Sequence, residues 1–190
     1  MELILDPNKH YTYADYLTWI DDKRRELVNG LINMMSAPKT RHQEISMRLC
    51  VKLYLIIERH KGKCEVFHAP FDVRLPGNGE REDNKIDTVV QPDICIVCDP
   101  SKLDERGCLG APDFIAEIQS VSTARYDLTV KFDLYEKAGV REYWIVYPSK
   151  GIEAFILQPD GKYDNGTIYE TGKVPVNIFD GIEIDLNDIY

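Results

Sequence analysis

Three charged residues of this chain stand where local patterning calls for apolar ones: Asp93, Glu117 and Lys131. Two carboxylates and a lysine set into otherwise buried elements suit hydrolysis of a phosphodiester at a divalent metal ion. The carboxylates would hold the ion, and the ammonium would orient the attacking water or neutralise charge growing on the phosphoryl group. Glu117 falls within residues 114–121, a run apolar at almost every position, as expected of a strand covered on both faces. A buried carboxylate left unpaired costs several kcal/mol, so it must be protonated, paired or bound to metal. Side chains alternate across a strand, which puts Glu117 and Gln119 on one face and Ala116 and Ile118 on the other. Asp93 opens the preceding apolar run, directly after Pro92. If these strands are neighbours, Asp93, Glu117 and the Gln119 amide oxygen converge at one end of a sheet. That is a hard-oxygen set suited to Mg²⁺ or Mn²⁺.

Lys131 needs a helix. Over residues 125–138 the helical period gives an apolar stripe of Leu128, Phe132, Leu134, Tyr135 and Ala138, with Lys131 in its middle. Thr129, Asp133, Glu136 and Lys137 take the solvent side. A lysine in such a stripe either snorkels its ammonium to the edge or reaches a cluster of carboxylates. The Glu117 strand immediately before the helix favours the second. Tyr135, one turn on, packs or shapes the pocket, and Asp127 suits the helix dipole.

The remaining elements frame this centre. Thr12 caps a helix running to about residue 21, with Tyr13, Tyr16, Leu17 and Ile20 at helical spacing. Residues 26–35 read as a hairpin with Asn29-Gly30 as its turn, and Glu26 as a salt bridge at its rim. Thr40 and Gln43 form a capping box for a helix to about residue 60, whose core stripe is Ile45, Leu49, Leu53 and Ile56. His42, in its first turn, caps, packs or contacts a substrate phosphate. Residues 64–75 read as a strand, 76–87 as a loop without a core role, and 99–110 as a second loop bordering the site. Ser and Thr of residues 120–125 cap the following helix or meet a phosphate. Meander strands follow to about residue 170, then an edge strand and terminal turn. With neither repeat nor linker, residues 1–190 make a single domain.

At 44% apolar and 29% charged, the composition is that of an ordinary globular protein. Its apolar runs are too short to span a membrane, and the acidic start lacks a signal peptide's basic region. Five cysteines, an odd count, argue for a reducing compartment, the cytoplasm, rather than a disulfide framework. Cys95 and Cys98 have C-x-x-C spacing but face opposite sides of a strand. A formal charge of −9 opposes unspecific nucleic-acid binding, although Arg24, Arg25, Lys39, Arg41, Arg48 and Lys52 could still form a local basic rim.

The order Pro92-Asp93, Ala111-Pro112-Asp113, Glu117-Ile118-Gln119-Ser120-Val121-Ser122-Thr123, Asp127-Leu128, Lys131, Tyr135 to Val140 and Glu142-Tyr143-Trp144 resembles the Uma family of "putative restriction endonucleases", part of the PD-(D/E)XK nuclease superfamily. The resemblance extends upstream through Tyr13 to Leu17, Glu26 to Gly30, His42-Gln43 and Ala69 to Leu75. It implies an α/β, restriction-endonuclease-like fold: a mixed central sheet flanked by helices, with additional antiparallel hairpins. It further implies a Mg²⁺-dependent (or Mn²⁺-dependent) DNA endonuclease, acting as a homodimer. Asp93, Glu117 and Lys131 would be catalytic and Asp93 and Glu117 the metal ligands, with Glu26 an outer carboxylate and Gln119, His42 and Tyr135 accessory. The chain departs from the superfamily pattern at Gln119, where a lysine is expected; the family's remedy is a lysine on the following helix, here Lys131. Asn29 and Tyr147 replace residues that are commonly acidic in the family. Gln119 and the acidic balance leave two alternatives: a catalytically degenerate nuclease-fold binding module, or a structural homodimer.

Overall fold

The computed structural model describes residues 5–60, 62–77, 79–120, 126–149 and 151–190. Helix α1 (Tyr13–Tyr16) is capped by Thr12 as expected, and the cap is a full capping box, with the Asp15 carboxylate accepting from the Thr12 N–H at 2.9 Å. It ends after one turn instead of reaching residue 21. The Thr18 N–H and hydroxyl both turn back onto the Asp15 carbonyl, at 2.9 and 2.6 Å, which closes the turn and leaves Ile20 exposed. Strands β1 (Arg25–Val28) and β2 (Leu31–Met34) form the expected hairpin, and Asn29 and Gly30 take the positive φ values, 49° and 75°, that its turn requires. Helix α2 (Thr40–His60) buries Ile45, Leu49, Leu53 and Ile57. Its capping box does not form: the Gln43 N–H already bonds the Lys39 carbonyl at 3.1 Å, so Thr40 lies inside the helix.

The chain continues through β3 (Glu65–His68), β4 (Val73–Arg74), β5 (Val89–Val90), β6 (Ile94–Val97), β7 (Leu103–Asp104), β8 (Gly107–Leu109) and β9 (Phe114–Ile118). A π-helical turn (Asp127–Lys131) leads into α3 (Phe132–Ala138), and β10 (Glu142–Tyr147), β11 (Gly151–Ile156), β12 (Thr167–Tyr169), β13 (Lys173–Pro175) and β14 (Glu183–Asp185) complete it. The central sheet has the order β12-β11-β10-β9-β6-β3 and is mixed, β9 and β10 being parallel and joined through α3. The remaining hairpins assemble a second sheet, β2-β1-β5-β4-β8-β7, while β13 and β14 pair alone.

Alternation along β6 and β9 sorts side chains into two cores. Ile94, Ile96, Phe114, Ala116 and Ile118 meet α2 and the β13–β14 ladder on one face. Cys95, Ile115 and Ile145 meet Tyr135 of α3 and Val73 and Val90 of the second sheet on the other. A third, smaller core gathers Tyr11, Tyr13, Leu27, Ile86 and Val89. Several sequence expectations change here. Residues 64–75 are two strands in different sheets, because the chain breaks at Ala69-Pro70, where proline has no N–H to give a ladder. The 76–87 loop does serve the core, through fully buried Ile86. Residues 99–110 hold a 3₁₀ turn and the β7–β8 hairpin. Cys64 and Cys98, which follow the last β3–β6 pair in register, are disulfide-bonded, leaving Cys50, Cys95 and Cys108 as free thiols. No described helix is long and apolar enough to cross a membrane.

Candidate active site

The antiparallel register of β6 against β9 pairs Ile94 with Ala116, so the residues next in line, Asp93 and Glu117, meet at the strand ends. Both belong to the face that carries Cys95 and Ile115. The Asp93 carboxylate, through Oδ2, accepts the Ile118 N–H at 2.8 Å, and the Asp93 N–H reaches Glu117 Oε2 at 3.4 Å. A side-chain oxygen thus stands where the ladder would otherwise continue with a carbonyl.

The π turn supplies the third residue. Its i→i+5 bonding takes roughly one residue more per turn than an α-helix. That shifts the phase, so Leu128, expected in the stripe, is 42% exposed. Lys131 and Tyr135, four apart, both turn inward. Lys131 Nζ lies 2.8 Å from Glu117 Oε1 and 3.0 Å from Glu26 Oε1, and its side chain is 5% exposed. The lysine does not snorkel. The Tyr135 hydroxyl donates to the same Glu117 oxygen at 2.7 Å. Burial first, then the Glu117 and Glu26 carboxylates, push that hydroxyl well above its ordinary range, which keeps it a donor.

Glu26 is therefore no rim salt bridge. It is 1% exposed, and its Oε1 also accepts the Gln91 N–H at 2.9 Å while Oε2 accepts from Asn33 at 3.2 Å. His42 enters from the other side of the sheet, on α2, where its Nε2–H donates to Asp93 Oδ2 at 3.0 Å. Asp93, Glu117, Lys131, Glu26 and His42 all line one cavity of about 740 Å³. Ser120 lines it too, while residues 121–125 lie outside the described residues. Gln119 does not line it: its main chain follows β10 through a bond to the Val146 carbonyl at 2.9 Å, beyond the last residue of β9. Nor does the 99–110 segment border it. Sequence reasoning passed over Gln91; its only signal was a polar residue ahead of Pro92-Asp93 in an apolar run.

Three carboxylates, Glu26, Asp93 and Glu117, are in direct contact with one ammonium and one imidazole. The excess negative charge is one a divalent cation would balance. Among the described residues no group of three or more His, Cys, Asp or Glu forms a ready-made metal cage. Two carboxylates beside an open cavity nevertheless fit Mg²⁺, which keeps several waters and takes one or two protein carboxylates plus substrate phosphate oxygens.

A family model, Uma2, described as "putative restriction endonuclease", matches residues 13–187. Among solved structures, the fold is similar to that of a "putative nuclease belonging to DUF820" from Anabaena variabilis, with a TM-score of 0.72 and 18% identity over 94% of this chain and 96% of that one. No curated protein matches the chain.

Proposed function

The chain belongs to the Uma2 family, and from that membership and the site we propose that it is a metal-dependent nuclease cutting phosphodiester bonds, with DNA as substrate. One observation carries the reading: Glu117 and Asp93, brought together by the β6–β9 register, open onto the same cavity as the buried Lys131. Asp93 and Glu117 would hold Mg²⁺ or Mn²⁺. The chemistry supplied there by a bound ion is polarisation of the phosphoryl group and acidification of a bound water. The chain's own residues do the rest. Lys131 stands beside Glu117 with an ammonium that neutralises charge on the transition state and orients the nucleophile. Tyr135 and Glu26 fix the positions of Glu117 and Lys131. His42 holds the Asp93 carboxylate from the opposite layer, and Gln119 takes no part.

The test is cleavage of labelled DNA and RNA with Mg²⁺, Mn²⁺ or a chelator. DNA should be cut with metal and left whole with chelator. Asp93→Asn and Glu117→Gln should each lower the rate by about a hundredfold or more with an unchanged circular-dichroism spectrum. Asparagine is chosen because Asp93 also satisfies a main-chain N–H. Cleavage by both variants at the wild-type rate would refute the site; cleavage of RNA alone would refute the substrate. Binding without cleavage would establish the degenerate module instead. Sedimentation of the protein at micromolar concentration tests the homodimer.

A further inference from the structure

The basic rim suggested by the sequence is mostly spent elsewhere. Arg25 is committed to Asp21 (2.5 Å), Lys52 to Asp188 (2.8 Å), and Arg41 to Glu44 and the Tyr190 carbonyl (both 3.2 Å). Arg48 donates to the carbonyls of Ile189 and Tyr190. Two of the six remain, Arg24 and Lys39, and both line the cavity. Neither makes an ion pair among the described residues, whereas Lys131, in the same cavity, makes two.

Arg24 is also held in place. Its main chain extends the β1–β2 ladder, the carbonyl accepting the Met35 N–H at 3.1 Å. Two residues before Glu26, it falls on the same face of the strand. Its Nε and Nη2 both donate to the Gln91 amide oxygen, at 3.2 and 2.9 Å. Gln91 is in turn fixed from behind, its amide nitrogen donating to the Asp72 carboxylate at 2.9 Å and the Tyr16 hydroxyl at 3.2 Å. A neutral amide orients the guanidinium without cancelling its charge. Buried guanidinium groups elsewhere in this protein are oriented by carboxylates instead, as Arg74 is by Asp104.

Resting on the nuclease reading, we infer that Arg24 forms a phosphate subsite, binding a backbone phosphodiester of the nucleic-acid strand beside the one cleaved at Asp93 and Glu117. Gln91 is its positioning residue. Through its side chain it sets the guanidinium, and through its N–H it sets Glu26, so subsite and cleavage centre share one support. Lys39 adds charge at the same mouth. Arginine's planar fork suits two phosphate oxygens at once, so Arg24→Lys should recover the charge but not the geometry.

The experiment measures binding of a fluorescein-labelled DNA oligonucleotide by anisotropy, with Ca²⁺ in place of Mg²⁺, over a salt series. It is paired with cleavage kinetics in Mg²⁺. Arg24→Gln should weaken binding about tenfold and lower the log–log salt slope by about one. In cleavage it should raise KM far more than it lowers kcat. Arg24→Lys should restore the slope but only part of the affinity. Gln91→Leu should weaken binding with the slope kept, because the charge remains. Lys137→Gln, on the exposed side of α3, should change neither. Wild-type protein that binds and cuts, with Arg24→Gln matching it in affinity and slope, overturns the subsite and leaves the nuclease standing. Wild-type protein that neither binds nor cuts any nucleic acid overturns both.

Discussion

Lys131→Met is the substitution from which the structure expects most. Methionine keeps the stem's volume and removes the charge, so a lysine that merely packed would be replaced at no loss. Here the ammonium is the shared partner of two carboxylates whose side chains are 1% and 6% exposed. Because one ammonium touches an oxygen of each, those oxygens lie within about 6 Å of one another. Two unit charges at that distance and an effective dielectric of about 20 repel by about 3 kcal/mol. Removing one partner from a buried ion pair typically costs 3–5 kcal/mol, which agrees. For a chain of this size 1 kcal/mol moves Tm by roughly 2–4 °C, so Lys131→Met should melt about 6–12 °C lower. Adding Glu26→Gln removes the repulsion and should recover at least half of the loss, although cleavage stays abolished in both variants. Urea unfolding and thermal melts, run in chelator so that no cation substitutes for the ammonium, give the numbers. A Lys131→Met protein as stable as wild type, or a double variant no more stable than the single one, would refute the shared-counterion reasoning.

Tyr135→Phe should destabilise by about 1–2 kcal/mol, since it strips a donor from Glu117 inside the core, and should slow cleavage by less than Glu117→Gln does; equal or faster cleavage would remove Tyr135 from the positioning set. Asp72→Asn tests pH dependence. Burial raises the Asp72 carboxyl above its ordinary range, outweighing the hydrogen bonds from Gln91 and Tyr16 that lower it. A folded-state value above the unfolded one contributes stability that is full below about pH 4 and is lost as pH rises through the raised value. The asparagine variant lacks that loss, so its Tm relative to wild type should climb from pH 4 upward and then level off. A difference that is flat across pH 4–7 would contradict the direction.

Asp93, Glu117 and Lys131 were legible because each breaks an apolar pattern that the neighbouring residues state clearly. Apart from Asn33 across the hairpin, the partners that hold Glu26 and bring His42 to Asp93 lie more than 50 residues away in sequence, at Gln91, Lys131 and Asp93, so alternation along the hairpin or helix gives no hint of them. Gln119, expected on the face of Glu117, lies one residue past the end of β9, where the pairing with β6 has already given way to the Asp93 carboxylate at Ile118 and only the bond to β10 remains. Leu128 misled because a π turn alters the period within a single turn. The second sheet was illegible for a simpler reason: β4, β5 and β7 have two residues each, too few for any alternation to register.

The two-sided approach to the carboxylates has a mechanical consequence. His42 comes from the layer above the central sheet and Lys131 from the layer below, and they converge on side chains fixed by main-chain bonds at the ends of two adjacent strands. Sliding α2 across the sheet parts His42 from Asp93; sliding α3 parts Lys131 from Glu117. The centre is thus an interlock. It is assembled only when both layers are seated on the sheet at once, and a shear that spares every strand is enough to take it apart.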